Sequence, residues 1–97
     1  MTIAAILEFT AQPGRREDAL AVLVPQLGDT RRHDGNLGVD VLLDDDADRF
    51  LLVERWESAA HNEAYQAWRQ TPDGAIAGFG DLLGAPPVMR VYPIADS

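Results

Sequence analysis

Residues 49–70 read RFLLVERWESAAHNEAYQAWRQ. From Phe50 to Glu57 the stretch alternates, with Phe50, Leu52, Glu54 and Trp56 on one face and Leu51, Val53 and Arg55 on the other. That period of two is the signature of a strand. Ser58 stands where an N-cap is wanted, and from Ala59 to Gln70 the period becomes helical. On a helical wheel His61, Ala64, Tyr65 and Trp68 share one side, flanked by Asn62 and Arg69, while Glu63, Gln66 and Gln70 point outward. A buried strand therefore runs straight into an amphipathic helix, and the rest of the chain can be placed around this pair.

Upstream, Asp44-Asp45-Asp46-Ala47-Asp48 is a polar turn, and Leu37 to Leu43 alternates ahead of it, so two strands form an antiparallel hairpin. From Arg15 to about Arg32 the period is helical, with Ala19, Leu20, Leu23, Val24 and Leu27 in one stripe, and Pro25 is expected to kink or split the helix. Thr2 to Thr10 alternates again, with Ile3, Ala5, Leu7 and Phe9 on one face and a largely apolar set opposite. Downstream, Thr71-Pro72-Asp73-Gly74 breaks the second helix, residues 75–84 form a short irregular helical segment, and Pro86-Pro87 leads into a last strand, Val88 to Ile94. The order is β-α-β-β-α-β. It predicts a ferredoxin-like α+β fold with a four-stranded antiparallel sheet, in one domain spanning residues 1–97.

Two helices cover only one face of such a sheet. The other face is expected to carry Ala4, Ile6, Leu42, Leu51, Val53, Met89 and Val91, too apolar to leave in water, with Glu8 and Arg55 placed to pair. A homodimer joined through the sheet face follows.

Composition narrows the partners. Eight arginines, sixteen acids and no lysine leave a net charge of −8, which argues against nucleic acid and membrane surfaces. The missing lysine removes Schiff-base chemistry, and the missing cysteine removes thiolate nucleophiles, thiolate metal sites and disulfides. No run is long enough to span a bilayer and no signal peptide is recognisable, so a cytoplasmic location is expected.

The chemistry-bearing residues gather where the Phe50 face of the strand meets the helix. Trp56 and Trp68 offer ring platforms; Asn62 and Arg69 offer hydrogen bonds; Leu7, Val41 and Leu52 complete an apolar lining. Tyr65, His61 and Glu54 are the candidate catalytic groups, with Tyr65 the first choice for reaching a ligand and His61 or Glu54 as a base. Each has a plainer reading: the tryptophans as core, His61 as a packing residue, Glu54 as half of an ion pair with Arg69 or Arg90. A metal is not expected, because His33 is the only other imidazole and no spacing forms a triad. Asp44, Asp46 and Asp48 imitate the start of a calcium loop, but Arg49 and Arg55 occupy its glycine and glutamate positions, which leaves a solvated hairpin turn.

F-x-L-x-E-x-W-x-S at Phe50–Ser58, Pro13-Gly14 after the first strand, Gly35 before the second, and the run AHNEAYQAWR followed by LLGAPPV resemble the antibiotic biosynthesis monooxygenase family across nearly the whole chain. The resemblance implies a ferredoxin-like dimer, a cleft between sheet and helices, and oxidation of quinols or aromatic polyketides by O₂ without metal or flavin. Trp56 matches a tryptophan that lines the cleft in polyketide-oxidising members. Leu52 and Asn62 stand where those members carry asparagine and tyrosine, and Tyr65 where many carry histidine. Haem-degrading relatives need residues that Leu7, Tyr65 and Ala75 do not supply. The expectation is a cofactor-independent monooxygenase acting on a small aromatic, phenolic or quinol-type substrate. A ligand-binding or structural dimer and an isomerase or cyclase on the same scaffold are the alternatives.

Overall fold

Where alternation is strict the chain is extended, and the computed structural model, which describes residues 1–97, follows the pattern closely. Strand β1 (Ile3–Thr10) is followed by helix α1 (Arg16–Leu23), a 3-10 turn at Val24–Gln26 and helix α2 (Leu27–Arg32). The hairpin β2 (Asn36–Leu43) and β3 (Arg49–Trp56) leads into α3 (Ala59–Arg69), and β4 (Val88–Pro93) closes the chain after a second 3-10 turn at Gly80–Leu82. Strand order β2-β3-β1-β4, with every pairing antiparallel, is that of a ferredoxin-like α+β fold.

Pro25 splits the first helix as its missing N–H demands. Ser58 caps α3 by accepting a hydrogen bond from the His61 amide at 3.2 Å. The acidic hairpin turn uses its carboxylates on its own backbone: Asp44 accepts from the Asp46 amide at 2.8 Å and Asp46 from the Asp48 amide at 3.0 Å. Arg16 clasps the same turn from α1, donating from one guanidinium nitrogen to the carbonyls of Asp44, Asp46 and Arg49.

One core lies between the sheet and the first helical arm, built on Phe9, Phe50, Leu52, Val39, Ala19, Leu23 and Leu27. A smaller one, Ile3, Ala5, Trp56 and Tyr65, lies under α3. Phe9 and Phe50 stack at 5.2 Å, and Phe79, from the connection to β4, meets Phe9 edge-on at 5.3 Å.

The open face differs from expectation at β4. Its register opposes Met89 to Leu7 and Val91 to Ala5, so those two side chains lie on the helix side, and Val88, Arg90 and Tyr92 join Ile6, Leu42, Leu51 and Val53 on the open side. Alternation alone cannot say which of two phases an edge strand takes; only its hydrogen-bonded partner does. Glu8 does not pair with Arg55 either, because Arg55 lies across from Ala4 and Glu8 across from Leu51. Arg49 at 3.3 Å and Arg90 at 3.8 Å are the cations that flank Glu8.

Candidate functional site

Between the helix side of the sheet and the helices is a cavity of about 700 Å³. Leu7 and Phe9 of β1, Leu52 and Glu54 of β3 and Met89 of β4 line it from the sheet. Leu23 and Leu27 approach from the first helical arm, Tyr65, Gln66 and Arg69 from α3, and Ile76, Phe79 and Leu83 from the connection to β4. An apolar chamber with a few polar groups at one wall is the usual form of a small-molecule site.

Glu54 is the unusual member. Strand alternation commits it to the inner face between Leu52 and Trp56, where it is 1% exposed. Trp56 Nε1 and Gln66 Nε2 each donate to its Oε1 at 3.2 Å. Burial pushes the carboxyl up to about 7, against the lowering influence of the Trp56 bond, the Arg69 charge and the Gln66 bond. No ion pair forms: Arg90 is on the opposite face beside Glu8, and Arg69 directs its donors elsewhere. Glu54 is therefore a carboxyl poised to change charge near neutrality on the wall of an apolar chamber, as proton abstraction requires.

Tyr65 and Arg69 form a second unit. Tyr65 Oη lies 2.6 Å from Thr30 Oγ1 and accepts from Arg69 Nε at 2.7 Å. Arg69 also donates to the carbonyls of Gly74 and Gln26, each at 3.1 Å, and to Thr30 Oγ1 at 3.2 Å. Its guanidinium lies 4.8 Å from the Trp68 ring centroid and 5.3 Å from that of Tyr65. Burial raises the Tyr65 phenol above its ordinary value, so it stays protonated and serves as a hydrogen-bonding group rather than a base.

The structure brings Leu7, Leu52, Glu54, Tyr65 and Arg69 together on the cavity wall and leaves the other candidates off it. Trp56 is fully buried against Tyr65, their ring centroids 4.9 Å apart, so the contact between them is closed. Trp68 lies under Arg69, and Asn62 is buried with its Oδ1 accepting from Gln66 Nε2 at 3.2 Å. Val41 packs on the core from the β2 edge. His61 turns to the far end of the helix, its Nδ1 2.7 Å from Ser58 Oγ and its Nε2 3.6 Å from Asp34 and 3.8 Å from Glu57. The physical reason is helical phase. The inward stripe of α3 runs Asn62, Tyr65, Gln66 and Arg69, about one position on from the predicted one, which leaves Ala64 exposed and His61 at the margin.

Gln66, read as outward, is thus the second hydrogen-bond donor to Glu54. Thr30, outside the site the sequence predicts, follows Leu23 and Leu27 at the spacing of one helical stripe and so is a polar residue on an apolar face. His33 lies among the rings of Trp56, Tyr65 and Trp68 at 6.0, 5.2 and 5.7 Å, with Nδ1 buried and unpartnered. No sequence signal marks it, because a loop residue has no periodicity to read.

The chain is similar over its full length to the structure of Rv0793 from Mycobacterium tuberculosis, at 26% identity, covering 98% of that chain with a TM-score of 0.81. A Nitrosomonas europaea protein assigned to the antibiotic biosynthesis monooxygenases superposes over 97% of this chain and 99% of its own at 18% identity, with a TM-score of 0.82. A mutant of SnoaB, a cofactor-independent oxygenase from Streptomyces nogalater, superposes over 99% of this chain and 95% of its own at 12% identity, with a TM-score of 0.80. No curated protein matches the sequence. The profile of one family does match, from residue 2 through residue 74, taking in both core clusters, the Glu54 strand and the whole of α3. By that match and by its fold, the chain belongs to the antibiotic biosynthesis monooxygenase family.

Proposed function

We propose that the protein is a cofactor-independent monooxygenase that oxidises a small phenolic or quinol-type aromatic with O₂ in the chamber beside Glu54. The observation that carries this reading is the buried carboxyl, raised to about 7, on the wall of a largely apolar cavity of about 700 Å³. Glu54 takes the hydroxyl proton, and the resulting phenolate is electron-rich enough to pass one electron to O₂. Recombination of superoxide with the ring radical forms a carbon–oxygen bond at a ring carbon bearing hydrogen. Loss of that hydrogen as a proton, with cleavage of the O–O bond and release of water, leaves a carbonyl. One oxygen atom enters the product and the other leaves as water. The chain supplies the base, an apolar wall that excludes water, and positioning by Tyr65 and Leu52. SnoaB, described as a cofactor-independent oxygenase, has the same fold.

The test is oxygen uptake during incubation with a panel of quinols and hydroxylated aromatics, run aerobically and anaerobically. O₂-dependent product is expected, with Glu54→Gln lowering the rate by about a hundredfold, the scale of a lost general base. Absence of O₂-dependent turnover across the panel counts against the reading. A structural dimer without chemistry is favoured by one observation, the closed Trp56–Tyr65 contact; it predicts neither ligand binding nor oxygen uptake.

The open sheet face supports a homodimer. In the isolated chain Leu42, Val88 and Tyr92 are 47%, 44% and 50% exposed, alongside Ile6, Leu51 and Val53 on the same face. A contiguous apolar face of this kind calls for a partner, and a second copy is self-complementary about a two-fold axis.

A further inference from the structure

We infer that the chamber takes a hydroxylated aromatic ring carrying an apolar tail, the ring at the buried end beside Glu54 and the tail leaving across Met89 and Val91 of β4. The inference rests on the chamber being the ligand site, and it deepens that reading by naming the class of substituent the ligand bears.

The residues that line the chamber sort by depth. Phe9, Leu23, Leu27, Leu52, Glu54 and Tyr65 are buried and form its inner end. Ala67, Gln70, Ala75, Gly80, Pro87 and Met89 are exposed and mark its mouth. None of those six carries a charge, although a quarter of the chain's residues do, and only Gln70 has a polar side chain. Apolar surface left in water at the opening of a cavity marks a ligand groove, because a bound group is what removes it from solvent.

The apolar surface does not stop at the mouth. β4 has β1 as its one extended neighbour, and no helix packs along its inner side. Met89, opposite Leu7, and Val91, opposite Ala5, therefore stay 46% and 41% exposed although they point to the helix side. The proposed dimer does not cover them, since it buries the other face, to which Val88 and Tyr92 point. Val91 shares a row with Glu54, because both pair with Ala5 of β1. Two strand spacings separate β3 from β4, so the way from the carboxyl to the solvent edge is about 10 Å. An aromatic ring hydrogen-bonded through its hydroxyl to Glu54 spans most of that distance, and a substituent on its far side emerges over Met89 and Val91. A chain of methylenes there covers apolar surface that the fold itself leaves in water. A charged substituent would instead lose solvation against an uncharged rim.

Para-alkylphenols from methyl through hexyl, titrated calorimetrically into the intact protein, test this without reference to turnover. Each added methylene is expected to tighten binding about twofold, against about fourfold for complete burial, because one side of the tail stays in water. Val91→Thr, which keeps the shape of the side chain, is expected to leave methylphenol unaffected and to weaken hexylphenol about threefold. Met89→Gln, of similar length, is expected to flatten the series, and Leu42→Thr on the open face to leave it as in the wild type. A flat series in the wild type overturns the inference. So does a rise that survives both Met89→Gln and Val91→Thr, or one abolished by Leu42→Thr, which would lay the tail on the open face. No binding of any member overturns the chamber as ligand site and the inference together. A rising series without oxygen uptake would leave the inference standing and remove the monooxygenase reading; oxygen uptake with a flat series would do the reverse.

Discussion

Glu54 sits where water cannot solvate its charge, and the consequence can be measured without knowing the substrate. Its folded value of about 7 lies above the ordinary 4.5 because burial disfavours the ionised form. Below the ordinary value both folded and unfolded chains hold the proton, and nothing is lost. As pH rises from there through about 7 the unfolded chain releases the proton first, so stability falls across that window and levels off above it. The gap corresponds to a loss on the order of 3 kcal/mol. Urea unfolding of wild type and Glu54→Gln at about pH 4 and about pH 8 is expected to show the variant gaining on the wild type by that order at the higher pH. A pH-independent difference would mean the carboxyl is solvated. Glu54 was legible in the sequence because strand alternation commits every second residue to one face. His61 and Gln66 were not, since a shift of one position along a helix turns a side chain by about 100°, and nothing in AHNEAYQAW settles the phase to better than that.

At the scale of elements, α3 is tied to its neighbours by one arginine as well as by its apolar stripe. Arg69 reaches the 3-10 turn at Gln26, α2 at Thr30 and the descending chain at Gly74, so three segments meet on one guanidinium. Lysine cannot reproduce that fork. Arg69→Lys is expected to cost about 2 kcal/mol in denaturant unfolding, and Pro25 is part of the reason, because the split helix turns the Gln26 carbonyl toward α3. The chain beyond α3 offers a sharper contrast. A Cβ on buried Gly74 would collide with the Trp68 backbone carbonyl, which cannot move aside, whereas a Cβ on Gly80 would meet nothing within 4 Å. Gly74→Ala is expected to lower stability by about 2 kcal/mol or more, and Gly80→Ala to change it by less than about 1 kcal/mol in either direction. Equal effects would contradict the packing at Gly74. Of these elements the strands, the Pro25 break and the Ser58 cap were readable from residue types alone. The phase of β4 was not, because Met89 and Val91 are as apolar as Val88 and Tyr92, and the choice between them is made by pairing with β1.

For the whole molecule, the sheet divides two kinds of apolar surface: one folded over a chamber, the other facing outward. If the outward face is a dimer interface, sedimentation is expected to show twice the chain mass for the wild type. Val53→Asp, placing a carboxylate at the centre of that face opposite Ile6, is expected to give monomers that retain native circular dichroism. A monomeric wild type would leave the face without its proposed cover. The chamber has a different consequence. It is volume that the fold shapes and its own side chains do not fill, so any molecule that binds there and not to the unfolded chain shifts the folding equilibrium by mass action. At a hundredfold excess over its dissociation constant a ligand adds about 2.7 kcal/mol, which in a chain this short raises the melting temperature by roughly ten degrees or more. The void is thus a reporter as well as a site. The protein's own thermal denaturation can rank candidate metabolites before any reaction has been assayed.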